Sequence, residues 1–384
     1  MIGNWQFLFF DGTPPSPWLH WINDMLHTEP FSLLVHGFFW VCLLFCVPFA
    51  GAAMFVWTIL RLVLYLVGYS TQTVDTSTQE LAVVITGCDS GFGYDLALAC
   101  QAKGYHVFCS CLKKESLDAF NHKERMTALV VDVCEDQDVS NLSKAVFEWI
   151  EANSNKRFLH AVVNNAGMGS FGLVDWVDMD LFQKNMEVNC LGQIRVVKAF
   201  LPYLKNQYAS SAAYKDARIV NVVSMAGLET GMGMSPYNAS KFAAEGFSSA
   251  LRLELRDFGI QVVTMNPSFH ETPLTADLPG QGQRMYDKLP AELKSRYGQE
   301  YLEKNFLQFL KLPMSVLWRA KNVARDLCRA VDLVHPAPRY VTGMDARFGL
   351  LVQRMLPDTI RDTLLPRFLH PPAFFNQQEK EKTT

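Results

Sequence analysis

From Leu81 onward, short apolar runs recur at Leu81–Ile85, His106–Phe108, Ala128–Val131, Ala161–Val163, Ile219–Val223 and Gln261–Met265, separated by longer stretches of helical period. Nearly continuous apolar strands alternating with helices are what a parallel sheet covered on both faces requires. The fold class expected is α/β, a doubly wound parallel sheet. About 300 residues follow residue 80, enough for one such domain with a large core and a helical C-terminal extension.

Upstream of the first strand the composition is different. No Asp, Glu, Lys or Arg occurs from Pro30 through Leu60, a run long enough to span a bilayer. A secretory signal would carry a basic residue ahead of an apolar run near the start, whereas the 29 residues before this one hold no Lys or Arg, so a retained anchor is expected. As one helix the run would extend ~46 Å against a ~30 Å hydrocarbon core. Pro48 and Gly51 interrupt it, so it is either one kinked, tilted span, which is favoured, or a tight pair of short passes. The expected domain order is an N-terminal tail (1–29), a membrane anchor (30–69), a polar Ser/Thr-rich linker (70–80), the α/β domain (81–345) and an amphipathic extension and tail (346–384).

Composition removes several functions. With 35 Lys+Arg against 38 Asp+Glu, the formal charge is −3, which gives no electrostatic reason to bind nucleic acid. The chain is 49% hydrophobic and 19% charged, far from the profile of disorder. Nine cysteines spread over positions 42 to 328 lack the short spacings of a zinc module or a disulfide scaffold, so no metal is expected.

The first strand runs into Thr86-Gly87-Cys88-Asp89-Ser90-Gly91-Phe92-Gly93, with a helix expected to begin near Tyr94. Strand, glycine turn and helix are the order in which a dinucleotide-binding site is built. Gly87 permits the tight turn, Gly91 lets backbone approach a pyrophosphate, and Gly93 lets the helix pack close to the sheet. The spacing G-x-x-x-G-x-G departs from the commoner fingerprint, and alone it is a weak signal.

Three further segments follow: Asn164-Asn165-Ala166-Gly167 after a strand, Ser224 after another, and Tyr237-Asn238-Ala239-Ser240-Lys241. In order and spacing the set resembles the short-chain dehydrogenase/reductase family over about Leu81 to Thr272. The closest style is that of its branch of retinol dehydrogenases, 17β-hydroxysteroid dehydrogenases and mitochondrial 3-hydroxybutyrate dehydrogenase. Met285-Tyr286-Asp287-Lys288-Leu289 and Arg339-Tyr340 ahead of Gly343-Met344-Asp345-Ala346 resemble the retinol and steroid side. The resemblance implies a Rossmann-type domain and a nicotinamide-dependent alcohol dehydrogenase.

Tyr237 and Lys241 are four apart, so on a helix they share a face. A phenol is a poor base at neutral pH, and an adjacent ammonium is expected to favour the phenolate, making Tyr237 the proton carrier. By resemblance, Lys241 also holds the nicotinamide ribose, Ser224 bonds the substrate oxygen, and Asn189 keeps a water link to the lysine. The resemblance likewise implies that Gly87, Ser90, Gly91, Phe92, Gly93, Asp132, Asn165, Tyr237, Lys241 and Thr272 hold the cofactor, with Asp132 on the adenine ring.

Cofactor choice is decided at the end of the second strand, Phe108-Cys109-Ser110-Cys111-Leu112. Neither an acidic residue for a 2′-hydroxyl nor an arginine for a 2′-phosphate is there. NAD is favoured, with NADP left open because Lys113 and Lys114 follow. Ser268 stands where the family has glycine, and a serine calls for a more ordinary backbone. Met225, Met232, Met234, Phe171, Trp176 and Phe269 supply apolar material for a greasy ligand or for core alike.

The expected function is a membrane-anchored oxidoreductase moving a hydride between NAD and a lipophilic alcohol such as a retinoid or hydroxysteroid. The alternatives are a short hydroxy-acid dehydrogenase and a non-catalytic nucleotide-binding membrane protein. The expected partners are the bilayer and, since dimers are common in the family, a second copy. Acidic Asp11, Asp24 and Glu29 before the apolar run and Arg61 after it predict a cytosolic catalytic domain, and Lys380 and Lys382, which resemble a dilysine retrieval signal, imply the endoplasmic reticulum membrane.

Overall fold

In the computed structural model, the described residues are 55–60, 72–210, 214, 216–307, 310, 318–343, 346, 349–350, 356–357 and 359–360. The chain divides into two units, Met1–Thr71 and Gln72–Thr384. In the first, residues 55–60 are helical and Phe55, Val56 and Trp57 are exposed. The rest of the expected anchor (30–69), and most of the expected extension (346–384), lie outside the described residues. Among the described residues no helix is long and apolar enough to cross a membrane.

The second unit is built on seven parallel strands: β1 (Glu80–Thr86), β2 (His106–Cys111), β3 (Met126–Val130), β4 (Arg157–Asn164), β5 (Arg218–Val222), β6 (Gln261–Pro267) and β7 (Arg339–Thr342). Their order across the sheet is β3-β2-β1-β4-β5-β6-β7, a Rossmann-type arrangement. Register is regular between β1 and β2, with Val84 opposite Phe108, whereas against β4 it shifts by one residue between Ala82 and Val83, beyond which Val84 stands opposite Val162.

Side chains alternate across a strand, and both faces of β1 are apolar. Leu81, Val83 and Ile85 join one core with Leu96 of α1 (Gly91–Ala102) and with Val323 and Leu327 of α8 (Ala320–Asp332). Ala82 and Val84 join the other. There they meet Leu142 and Val146 of α2 (Asp136–Glu151), Val196 and Phe200 of α4 (Gly192–Ser210) and Leu251 of α5 (Ser235–Glu254). Two dry layers on one sheet explain why these strands read as unbroken apolar runs.

Three observations refine the sequence reading. A seventh strand, β7, stands at the sheet edge. The first helix begins at Gly91, three residues before Tyr94. Part of the expected linker belongs to the domain, because Thr73 pairs with Leu333 and Val74 N–H donates to Asp332 O at 2.8 Å.

Chain connections leave β1 on one side toward β2 and return on the other at β4, and the crevice opens where the order reverses, outside the carboxyl ends of the strands. Beyond β6 the chain forms α6 (Leu278–Asp287) and α7 (Ala291–Tyr301). Trp176 anchors them, with edge contacts to Tyr286, Tyr297 and Phe306, while Tyr297 Oη donates to Asp175 at 2.6 Å.

Candidate active site

A cleft of about 850 Å³ lies at that crevice. Its floor is the turn after β1. Gly87 takes φ +70°, and a Cβ there would stand 2.8 Å from Ala166 Cα; a Cβ on Gly93 would stand 2.3 Å from Gly87 O. Both contacts forbid a side chain, so backbone lines the floor. Asn165 locks the turn: its Nδ2 donates to Thr86 O and Gly87 O, each at 2.9 Å, while its own N–H donates to Thr86 Oγ1 at 3.0 Å. It therefore shapes this wall of the cleft by fixing the loop. Ser90 lies at the start of α1 without capping it by its side chain, which leaves the first-turn N–H groups for an anion. Gly91 (φ +62°) faces Thr272, whose Cγ2 would lie 3.7 Å from an added Cβ. Phe92 turns its ring edge-on to His270, with centroids 5.7 Å apart.

Asp132 lines the cleft past β3, and its Oδ1 accepts from Cys134 N–H at 2.9 Å, so one oxygen serves the turn. Thr272 also lines it, held by Thr275, whose Oγ1 accepts from Thr272 N–H at 3.1 Å. Among the described residues only Arg125 combines a side chain with a positive φ, so Ser268 has the ordinary backbone expected of a serine. Its N–H donates to Thr342 O at 2.9 Å, tying the loop to β7. Cys109 and Cys111 are buried free thiols in one core, and no metal-holding cluster of His, Cys, Asp and Glu occurs among the described residues.

The four catalytic candidates converge. Ser224 follows β5 and Tyr237 lies in the first turns of α5, where the Ser224 hydroxyl bonds the phenol. Burial pushes the Tyr237 phenol above its ordinary value, and the Ser224 bond only partly offsets this. The lowering expected from the Tyr237/Lys241 spacing is not found: burial dominates, and the lowering that does act comes from Ser224. Lys241 Nζ stands 5.7 Å from the ring centroid and donates to Val222 O at 3.2 Å, directing the ammonium at a carbonyl. Burial in turn lowers Lys241 to about 8, so the lysine itself titrates near neutrality.

Asn189 is fully buried in a π-helical turn, Glu187–Leu191, between α3 (Met179–Met186) and α4. Such turns are frequent at functional sites. Its Oδ1 accepts from Met168 N–H at 2.9 Å, and its Nδ2 donates to Met168 O at 2.8 Å and Ser240 Oγ at 2.9 Å. Asn189 thereby fixes the loop after β4 against the residue next to Lys241.

Sequence reasoning missed a buried ring behind the serine. Asn266 Nδ2 donates to Ser224 O at 2.9 Å and to Glu245 Oε2 at 3.0 Å; Arg339 Nη1 donates to Asn266 Oδ1 at 2.9 Å, and its Nη2 pairs with Glu245 Oε1. Glu245 sits one turn beyond Lys241, and that i, i+4 spacing was the available signal.

Phe171, Met225, Met234 and Phe269 line the half of the cleft in front of Tyr237, whereas Trp176 and Met232 pack in the adjoining core. The glycine floor, the uncapped helix start and the converging hydroxyl, phenol and amine suit a dinucleotide lying across the strand ends with an alcohol beside it.

The comparisons agree. A family model described as short chain dehydrogenase matches residues 81–282, more than half of the chain. The human protein named Retinol dehydrogenase 5 is 33% identical over 298 residues, covering 76% of this chain and 89% of that one. Bovine 17-beta-hydroxysteroid dehydrogenase type 6 is 30% identical over 77% of this chain and 90% of its own length, and bovine mitochondrial D-beta-hydroxybutyrate dehydrogenase 30% over 74% and 83%. In fold, a short-chain dehydrogenase/reductase from Burkholderia phymatum in complex with NAD superposes with a TM-score of 0.59 at 22% identity, covering 77% of this chain and 98% of that one. One from Burkholderia cenocepacia in complex with NADP gives 0.55 at 20%, over 77% and 99%. Taken with the cleft they describe, these matches show that the chain belongs to the short-chain dehydrogenase/reductase family and is an NAD(P)-dependent oxidoreductase.

Proposed function

We propose that this chain is a membrane-anchored dehydrogenase acting on a lipophilic secondary or allylic alcohol, a retinoid or hydroxysteroid, with NAD as its cofactor. The observation that carries this is the apolar half-cleft of Phe171, Met225, Met234 and Phe269 opening onto Ser224 and Tyr237. When bound, the nicotinamide exchanges a hydride with the substrate carbon. The chain's own side chains do the rest. Ser224 orients the substrate oxygen. Tyr237 accepts the hydroxyl proton during oxidation as its own phenolic proton passes on toward Lys241, and the transfers reverse during reduction. Lys241, titrating near 8, exchanges that proton onward and holds the ribose, with Asn189 keeping its surroundings rigid.

Similarity to D-beta-hydroxybutyrate dehydrogenase favours a short hydroxy acid as the second reading. A carboxylate substrate needs a cationic partner. Lys113 lies at the β2 end and Lys184 beside Cys134, both on the adenosine side. Near Met234 and Asn238 the cleft is lined by the carboxylate of Glu229, which would repel an acid, while the cation there, Lys241, is directed at Val222 O. An intact Asn189, Ser224, Tyr237 and Lys241 set argues against a non-catalytic binder.

NADH formation by the purified full chain should be measured with retinols, hydroxysteroids and 3-hydroxybutyrate. The lipophilic alcohols are expected to give the higher kcat/KM. A preference for 3-hydroxybutyrate, or tight NAD binding with no turnover of any alcohol, overturns the proposal.

The apolar run at 30–60 and the charges around it support an anchor in the endoplasmic reticulum membrane with the catalytic domain cytosolic. A C-terminal tag on sealed microsomes should then be cleaved by added protease; protection until detergent is added contradicts that orientation.

A further inference from the structure

We infer that Asp89, in the turn after β1, is the residue that selects NAD against NADP. This rests on the NAD reading above. In a doubly wound sheet the ribose next to adenine lies over the ends of β1 and β2, and a carboxylate there bonds the 2′-hydroxyl and repels a 2′-phosphate. Here β2 itself supplies none: it ends in Cys109-Ser110-Cys111, with both thiols buried in the core. Asp89 reaches across from the neighbouring loop to take that place. Its Oδ2 accepts from Leu112 N–H at 2.8 Å, and its Oδ1 accepts from Lys113 N–H at 2.9 Å and Ser116 Oγ at 2.8 Å. Three donors from the single stretch that follows β2 fix the carboxylate over the end of that strand, on the wall of the cleft shared with Ser90, Leu112 and Lys113.

The same bonds settle its charge. Burial raises the carboxyl, but the Leu112 and Lys113 N–H groups and the Ser116 hydroxyl outweigh that and hold it below the ordinary carboxylate value. Asp89 is therefore anionic at neutral pH, where a 2′-phosphate also is. Lys113, the rival candidate for receiving a phosphate, contributes its backbone N–H to this clamp. The device explains how a chain lacking an acidic residue at position 111 can still discriminate: the carboxylate has moved from the second strand to the phosphate loop.

The test is equilibrium binding of NAD and NADP to the full-length protein by calorimetry, independent of turnover. Wild type is expected to bind NAD at least ~10-fold more tightly. Asp89→Asn keeps the size of the side chain and removes its charge. It should tighten NADP by roughly 10-fold while leaving NAD within a few-fold. Lys113→Ala, which retains the backbone N–H, should leave the ratio unchanged. If wild type prefers NAD and Asp89→Asn keeps the ratio, Asp89 is not the selector although the NAD reading stands. If Lys113→Ala moves the ratio, the choice belongs to Lys113 and the inference falls. A wild-type preference for NADP refutes the NAD reading itself.

Discussion

The side-chain amide of Asn266 donates to the backbone carbonyl of Ser224 at 2.9 Å, so the serine proposed to orient the substrate is held from behind by a residue that is not part of the cleft lining. Asn266 is fully buried, and its remaining partners are Glu245 and Arg339. Asn266→Ala removes the donor and leaves one Glu245 oxygen without it, a buried loss of roughly 1–3 kcal/mol. Small displacements of reacting groups are costly, so kcat should fall roughly 10- to 100-fold. The affinity for NAD, measured by calorimetry, should stay within a few-fold. Equal losses in kcat and cofactor affinity would mean that the ring supports the whole domain rather than the serine.

Lys241 places a cation in a fully buried position, and burial lowers it to about 8 from an ordinary 10.5. A base depressed in the folded state binds fewer protons there than in the unfolded chain between these two values, so stability rises with pH across that window. Below about pH 8 both states are protonated and the full penalty applies. Lys241→Met should therefore abolish turnover yet raise stability at pH 7, by roughly 1–3 kcal/mol. The gain should shrink from pH 8 toward 10.5, as read from denaturant melts across pH. A destabilised Lys241→Met at pH 7 would show that the Val222 bond outweighs the burial penalty.

The glycines divide by what surrounds them. Gly93→Ala would drive a Cβ to 2.3 Å from Gly87 O, so the turn must open and NAD binding should be lost. Gly246 lies on the exposed side of α5 with nothing within 4 Å of an added Cβ, and Gly246→Ala should stabilise by about 0.4–1 kcal/mol with activity unchanged. Thermal melts and NAD titrations of the two variants separate a cofactor cradle from an ordinary helix position.

The central sheet was legible because its strands are buried on both faces, which forces runs such as Leu81–Ile85 and Ile219–Val223 to be apolar without a break. β7 escaped because it has four residues at the sheet edge, three of them half-buried, and so shows no apolar run. The glycine turn and the Ser224, Tyr237 and Lys241 set are local patterns with fixed spacing, and spacing survives in a linear reading. The ring behind Ser224 is different in kind. Asn266 lies 42 residues from Ser224, and Arg339 lies 94 from Glu245, so only the sheet order brings them together. Asp89 stood inside a recognised motif, yet its partners Leu112 and Lys113 are 23 and 24 residues away, across the β1–β2 pair. The expected lowering of Tyr237 failed because spacing places an ammonium nearby but does not reveal that the phenol is buried.

The most direct measurement is a single-turnover experiment on Tyr237→Phe with NAD and the best lipophilic alcohol found for wild type. Phenylalanine keeps the ring and its contact with Phe171, at 6.1 Å between centroids, and loses only the transferable proton. NAD should bind within a few-fold of wild type while NADH formation falls by at least roughly 100-fold, the contribution typical of a positioned acid–base group. NADH formation within a few-fold of wild type would contradict the assignment of Tyr237 as the proton carrier.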